Sequence, residues 1–206
     1  MPARIDVEQR RKDVIEAAFR LVVAEGLSGL SLRKVAAESG WNIGSVRHYF
    51  DDHRHLLVAA ATEVGDRMGR RLTRYSAEGW EGLAGEPAVD ALQAMAEELL
   101  PIDEERRVES IVLMEFIVAA RVNPIFRPVT ERMAADMRRV FTEALDVLGV
   151  PDPAEEAERL VAVMGGLILD AVTPHGSLGV ERLRRTLRAQ LRSALTDAPA
   201  AVPTTR

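Results

Sequence analysis

Residues 31–50 read Ser31-Leu-Arg-Lys-Val-Ala-Ala-Glu-Ser-Gly40-Trp-Asn-Ile-Gly-Ser-Val-Arg-His-Tyr-Phe50. Ser31 is placed to cap a short helix whose inward residues are Leu32, Val35 and Ala36. Gly40 stops it, because glycine takes a left-handed conformation at little cost. Asn42 then caps a second short helix of about two turns, ending near Tyr49. Val46 and Phe50 face inward, and Ile43, Gly44, Ser45, Arg47 and His48 remain on the outside. Two short helices with a cap-turn-cap between them match a helix-turn-helix, in which the second helix enters the major groove. The same residues also read as a plain surface helix pair.

Outward from this stretch the chain reads as helix throughout. Upstream, Asp6 and Gln9 stand three apart as a capping box requires. Val14, Ala17, Ala18, Leu21, Val22 and Ala24 recur at helical spacing, and Gly26 ends the segment. Downstream, Asp51 or Asp52 opens a long helix through Leu56, Ala60, Val64, Met68 and Leu72. The Gly-rich stretch 79–87 marks a boundary between substructures. Five further helices are expected at 87–100, 104–121, 125–149, 153–173 and 179–196. Asp152, Pro153 and Glu155 form a cap, a first-turn proline and a glutamate reaching back. No strand-like alternation and no repeat occurs. The expected fold is all-α: a three-helix N-terminal domain and a larger C-terminal helical domain.

Composition narrows the function. The 206 residues include no cysteine, which excludes disulfide scaffolds, cysteine–zinc sites and thiol nucleophiles. No apolar run approaches the roughly 18 residues of a membrane span. The N-terminus lacks the apolar core of a signal peptide, so a cytoplasmic protein without a membrane partner is expected. Residues 1–55 hold nine Lys or Arg against eight Asp or Glu plus three of the four His, whereas the remainder carries 18 against 24. That contrast points, weakly, to a polyanion at the N-terminal end.

The residues of 31–50, followed by Asp-Asp-His-Arg-His-Leu-Leu, resemble the TetR family of bacterial transcriptional regulators. The likeness extends upstream through Ala17-Ala18 and Glu25-Gly26-Leu27, and covers about residues 10–57. It implies an arm at 1–7, a DNA-binding domain at 8–68 and a ligand-binding and dimerisation domain at 69–196, whereas residues 197–206 are expected to be disordered because they are rich in Pro, Ala and Thr. It also implies that Arg33, Ile43, Gly44, Ser45 and Arg47 meet base edges. Ser31, Lys34, Asn42, His48, Tyr49 and His53 would meet phosphates, which position the protein without reading sequence. Arg4, Arg10, Arg11 and Lys12 are further candidates for the backbone or minor groove, although a solvated face explains them equally.

Three departures from the family pattern stand out. Arg47 replaces the usual Tyr, and arginine can hold guanine O6 and N7 bidentately. His53 replaces the usual Lys with an imidazole that is mostly neutral at pH 7. Trp41 stands where a smaller apolar residue is usual; it is expected to pack between helices, the alternative being that part of its ring reaches the sugar–phosphate backbone.

For the C-terminal part, the resemblance implies a homodimer and a small-molecule pocket. Leu160, Met164, Leu167, Ile168 and Ala171, with Leu183, Leu187 and Leu191 on the last helix, are the expected dimer contact. Gly165-Gly166 costs roughly 1 kcal/mol per glycine within a helix, which close approach of a second helix would justify. Trp80, Met95, Met114, Phe116, Phe126, Met133, Met137 and Phe141 offer adaptable apolar surface for a ligand. Glu115 either anchors a cationic ligand or faces solvent. The expected partners are thus a pseudo-palindromic double-stranded operator, a second copy and a small-molecule effector, with no cofactor and no metal. The rivals are a small all-α enzyme and a helix-turn-helix protein that acts without a ligand. No phosphate loop, dinucleotide fingerprint or nucleophile elbow is present to favour the enzyme.

Overall fold

The computed structural model describes residues 3–75 and 77–196. Among them are nine α-helices and no strand: α1 (Ala3–Glu25), α2 (Leu32–Ser39), α3 (Ile43–Tyr49), α4 (His53–Leu72), α5 (Glu86–Glu97), α6 (Glu104–Ala120), α7 (Arg127–Val147), α8 (Pro153–Val172) and α9 (Val180–Thr196). Short 3₁₀ turns occupy Leu27–Gly29, Ala77–Trp80 and Pro124–Phe126. The expected tail at 197–206 lies outside the described residues.

Most helix boundaries follow from local chemistry, and two do not. Asp52 caps α4 by accepting from the His55 amide at 2.7 Å. α1 starts at Ala3, a turn before the capping box expected at Asp6 and Gln9. Asp152 sits at the start of α8 in a left-handed conformation (φ 50°) and makes no side-chain cap. The Glu156 amide instead donates to the Asp152 carbonyl oxygen at 3.1 Å, so backbone rather than carboxylate closes the first turn.

The helices group into two units, one of residues 3–67 with Val108–Glu131 and one of Met68–Arg107 with 132–196. In the first unit α1 packs on α2 and α3. Its core includes Ile15, Ala18, Phe19, Val22, Val35, Val46, Phe50 and Leu56, the apolar face that each helical period presents. Arg67 of α4 lies over the Phe19 ring at 4.9 Å and binds Glu16 of α1 and Glu63 one turn back.

In the second unit α9 packs between α5 and α8. Leu183, Leu187 and Leu191 of α9 are fully buried, and Leu160, Met164, Leu167 and Ile168 of α8 nearly so. Ala171 is half-buried. These side chains fill the chain's own core, because the apolar stripe of α9 needs a partner that α8 supplies. The face of α8 left exposed carries Ala162, Gly165, Gly166 and Leu169. A Cβ added at either glycine would meet nothing within 4 Å, so no close approach among the described residues explains the pair.

The opposite edge of α9 is held by charge. Arg184, Arg188 and Arg192 recur at one-turn spacing. Arg184 meets Glu97 at 3.0 Å, Arg188 meets Glu86 and Asp90 at 2.6 and 2.7 Å, and Arg192 meets Glu86 at 2.8 Å. The two guanidiniums of Arg192 and Arg188 push the Glu86 carboxyl down to about 2.

Candidate nucleic-acid interface

α3 is presented by its two caps. Ser31 Oγ accepts from the Lys34 amide at 3.2 Å to start α2, and Gly40 ends it with φ 74°. Asn42 Oδ1 accepts from the Ser45 amide at 2.8 Å to start α3. A Cβ on Gly44 would come within 3.2 Å of that same oxygen, so glycine keeps the cap unhindered. Val46 and Phe50 are fully buried, which fixes the rotation of α3 about its axis. Its outer face then shows Ile43, Gly44, Arg47 and His48, with Ser45 and Tyr49 half-buried.

The expected DNA-contacting residues separate by how they are already engaged. Arg33 and Arg47 are exposed and make no hydrogen bond or ion pair among the described residues. His53, exposed at the first position of α4, is likewise uncommitted there. Ser31 and Asn42 spend an oxygen on their caps. Lys34 holds Glu25 at 2.5 Å, so its ammonium must leave that carboxylate to meet a phosphate. The His48 and Tyr49 rings meet edge to face at 5.3 Å.

A groove of about 360 Å³ runs beside α3, lined by Arg10, Asn42, Gly44, Ser45, His48 and Tyr49. Arg10 reaches it from α1, with its guanidinium 4.7 Å over the Trp41 ring. Spacing along either helix does not reveal this pairing; the unusual Trp41 was its one signal in the sequence.

The turn between α1 and α2 is anchored from α6. Glu115 Oε2 accepts from the Leu27 amide at 3.2 Å. The neighbouring Gly26 has φ 69° and ψ −177°, a conformation essentially restricted to glycine. Glu115 thus neither faces open solvent nor stands unengaged: it serves the Leu27 amide. The deeply buried carboxylate of α6 is Glu109, 1% exposed.

The other residues expected at a ligand pocket divide between the units. Met114, Phe116 and Phe126 lie in the first, where the two Phe rings sit 5.1 Å apart. Trp80, Met95, Met133, Met137 and Phe141 lie in the second. Phe116, Phe126, Phe141 and Met95 are at most 2% exposed, and Trp80 is 7% exposed. Met114, Met133 and Met137 are half-buried. Among the described residues no group of three or more His, Cys, Asp or Glu side chains could hold a metal ion, and no described helix is long and apolar enough to cross a membrane.

Comparison with known proteins agrees with this geometry. Residues 14–60 match the family described as bacterial regulatory proteins, tetR family, and residues 88–196 match the BetI-type transcriptional repressor, C-terminal family. The HTH-type transcriptional regulator PksA of Bacillus subtilis (strain 168) is 30% identical over 96% of this chain and 95% of its own. A transcriptional regulator from Rhodococcus sp. Rha1 superposes with a TM-score of 0.81 at 29% identity, over 93% of this chain and 98% of that one. The multidrug binding protein EbrR, solved in complex with proflavin, superposes with a TM-score of 0.57 at 26% identity, over 88% of this chain and 99% of that one. The two matched families, PksA and the Rhodococcus protein are regulators of transcription rather than enzymes. The chain belongs to the TetR family of bacterial transcriptional regulators, and its capped helix pair at 31–50 lies within residues 14–60, which match the family's N-terminal helix-turn-helix DNA-binding domain.

Proposed function

We propose that the chain is a homodimeric repressor that holds a pseudo-palindromic operator and leaves it when a small molecule binds the C-terminal body. The observation that carries the DNA half of this reading is the exposed, uncommitted Arg47 on a helix whose rotation is fixed by two buried residues. Arg47, Arg33, Ile43, Gly44 and Ser45 read base edges, while His48, Tyr49, His53 and Lys34 hold phosphates. The helices within 8–68 carry DNA recognition and those within 69–196 carry effector binding and dimerisation. The dimer forms through the outward face of α8, where Ala162, Gly165, Gly166 and Leu169 stand exposed. Two copies facing across a twofold axis match half-sites about one helical turn apart, or a multiple of it.

The EbrR–proflavin complex supports a drug-like effector. Such a ligand acts only through different affinities for the DNA-competent and DNA-incompetent arrangements. The Glu115–Leu27 contact gives α6 a direct hold on the turn before the helix-turn-helix. Selection of bound duplexes from a random library tests the proposal. A symmetric site is expected, and binding to it should fall as proflavin or another drug-like compound that raises the melting temperature is titrated in. Enrichment of asymmetric sequences alone would overturn the dimeric reading.

A further inference from the structure

The groove beside α3 has an unusual wall. Trp41 is half-buried, and its Nε1–H has no hydrogen-bond acceptor among the described residues. A buried donor left in that state costs free energy that a smaller apolar side chain would avoid. What the indole supplies is a flat face, and the Arg10 guanidinium lies over it at 4.7 Å. Stacking limits the rotamers of a long side chain while leaving its N–H edge able to form a fork of hydrogen bonds. Asn42, Ser45, His48 and Tyr49 supply polar groups to the same groove.

We infer that Arg10, oriented by Trp41, is a clamp for a DNA backbone phosphate in the groove beside α3. This rests on the DNA-binding reading above. Arg10 is the binding residue and Trp41 the positioning residue. A guanidinium held in place before contact loses less conformational freedom on binding than a mobile one. A phosphate has the tetrahedral, anionic oxygens that such a fork fits. Because the contact is to the backbone, it contributes equally to every sequence.

The test uses the full chain with its selected duplex and a random-sequence duplex. Arg10→Ala and Arg10→Gln should each weaken both duplexes by the same factor, about tenfold, and flatten the slope of log affinity against log salt by about 0.9. Trp41→Leu should weaken binding severalfold in the wild-type background and not at all beside Arg10→Ala, while Trp41→Phe retains most of the affinity. A scan of the duplex with single neutral methylphosphonates should find one position whose loss is felt by wild type and not by Arg10→Ala. An unchanged salt slope in both Arg10 variants, or independent effects of Trp41→Leu and Arg10→Ala, would overturn the clamp while leaving DNA binding intact. Failure of the wild-type chain to enrich any duplex would overturn both readings.

Discussion

Arg47 and Gly26 show how single residues set the helix-turn-helix. Arg47 stands exposed on α3 with no partner among the described residues, so the base contact proposed for its guanidinium requires no ion pair to break first. Arg47→Ala is expected to cost about 1–3 kcal/mol on the selected operator and to relax preference at one base pair. Competition binding with single-base operator variants measures both effects, and equal discrimination by the two proteins would remove Arg47 as a base reader. Gly26 matters for position rather than contact. Its φ of 69° with ψ −177° is hostile to any side chain, and a Cβ there would stand 3.3 Å from Glu115 Oε2. Gly26→Ala should therefore lower unfolding stability by about 1–3 kcal/mol, read as a fall in the urea midpoint at unchanged slope.

Among the helices, the pairing of α5 with α9 makes a distinct prediction about acid. Glu86 lies with its carboxyl lowered to about 2 from an ordinary 4.5, through hydrogen bonds from Arg192 and then Arg188. A depressed carboxylate stabilises the fold above its unfolded value and loses that effect as pH falls through the folded one. The melting temperature of wild type should thus exceed that of Glu86→Gln at pH 7, with the gap closing between about pH 4.5 and 2. Because the carboxylate is exposed, the gap should be small and should shrink further in about 1 M salt. A gap that persists at pH 2 would place the effect elsewhere. This ladder was not legible in the sequence, since Glu86 stands 102 and 106 residues from its arginines. The same holds for Glu115 and Leu27, which are 88 residues apart. What local chemistry governs was legible: Ser31, Gly40 and Asn42 act where their side chains or backbone freedom require. The 3₁₀ turns were not, because three or four residues carry no period to read.

For the molecule as a whole, the question is which surface a second copy would cover in the proposed dimer. Apolar spacing reads more than one apolar face on α8 and a narrower stripe on α9, but spacing alone does not say which face meets the chain's own core. The structure divides them: Leu167 is 7% exposed and Leu169 is 41% exposed, two positions apart on one helix. Arginine at 167 would bury a charge among α8–α9 core side chains, a defect expected to cost several kcal/mol and to damage the monomer itself. Arginine at 169 would leave the monomer intact, yet bring like charges together wherever two α8 helices face each other. Leu169→Arg should therefore keep its helical signal and melting behaviour as a monomer, sediment as a monomer at micromolar concentration and lose the operator complex in a gel shift. One half-site contributes only part of the affinity, so an intact helix-turn-helix does not rescue binding. Leu169→Arg that stays dimeric and binds the operator would place the contact on another face, and Leu167→Arg that melts like wild type would show that α8 packs less tightly on α9 than its burial requires.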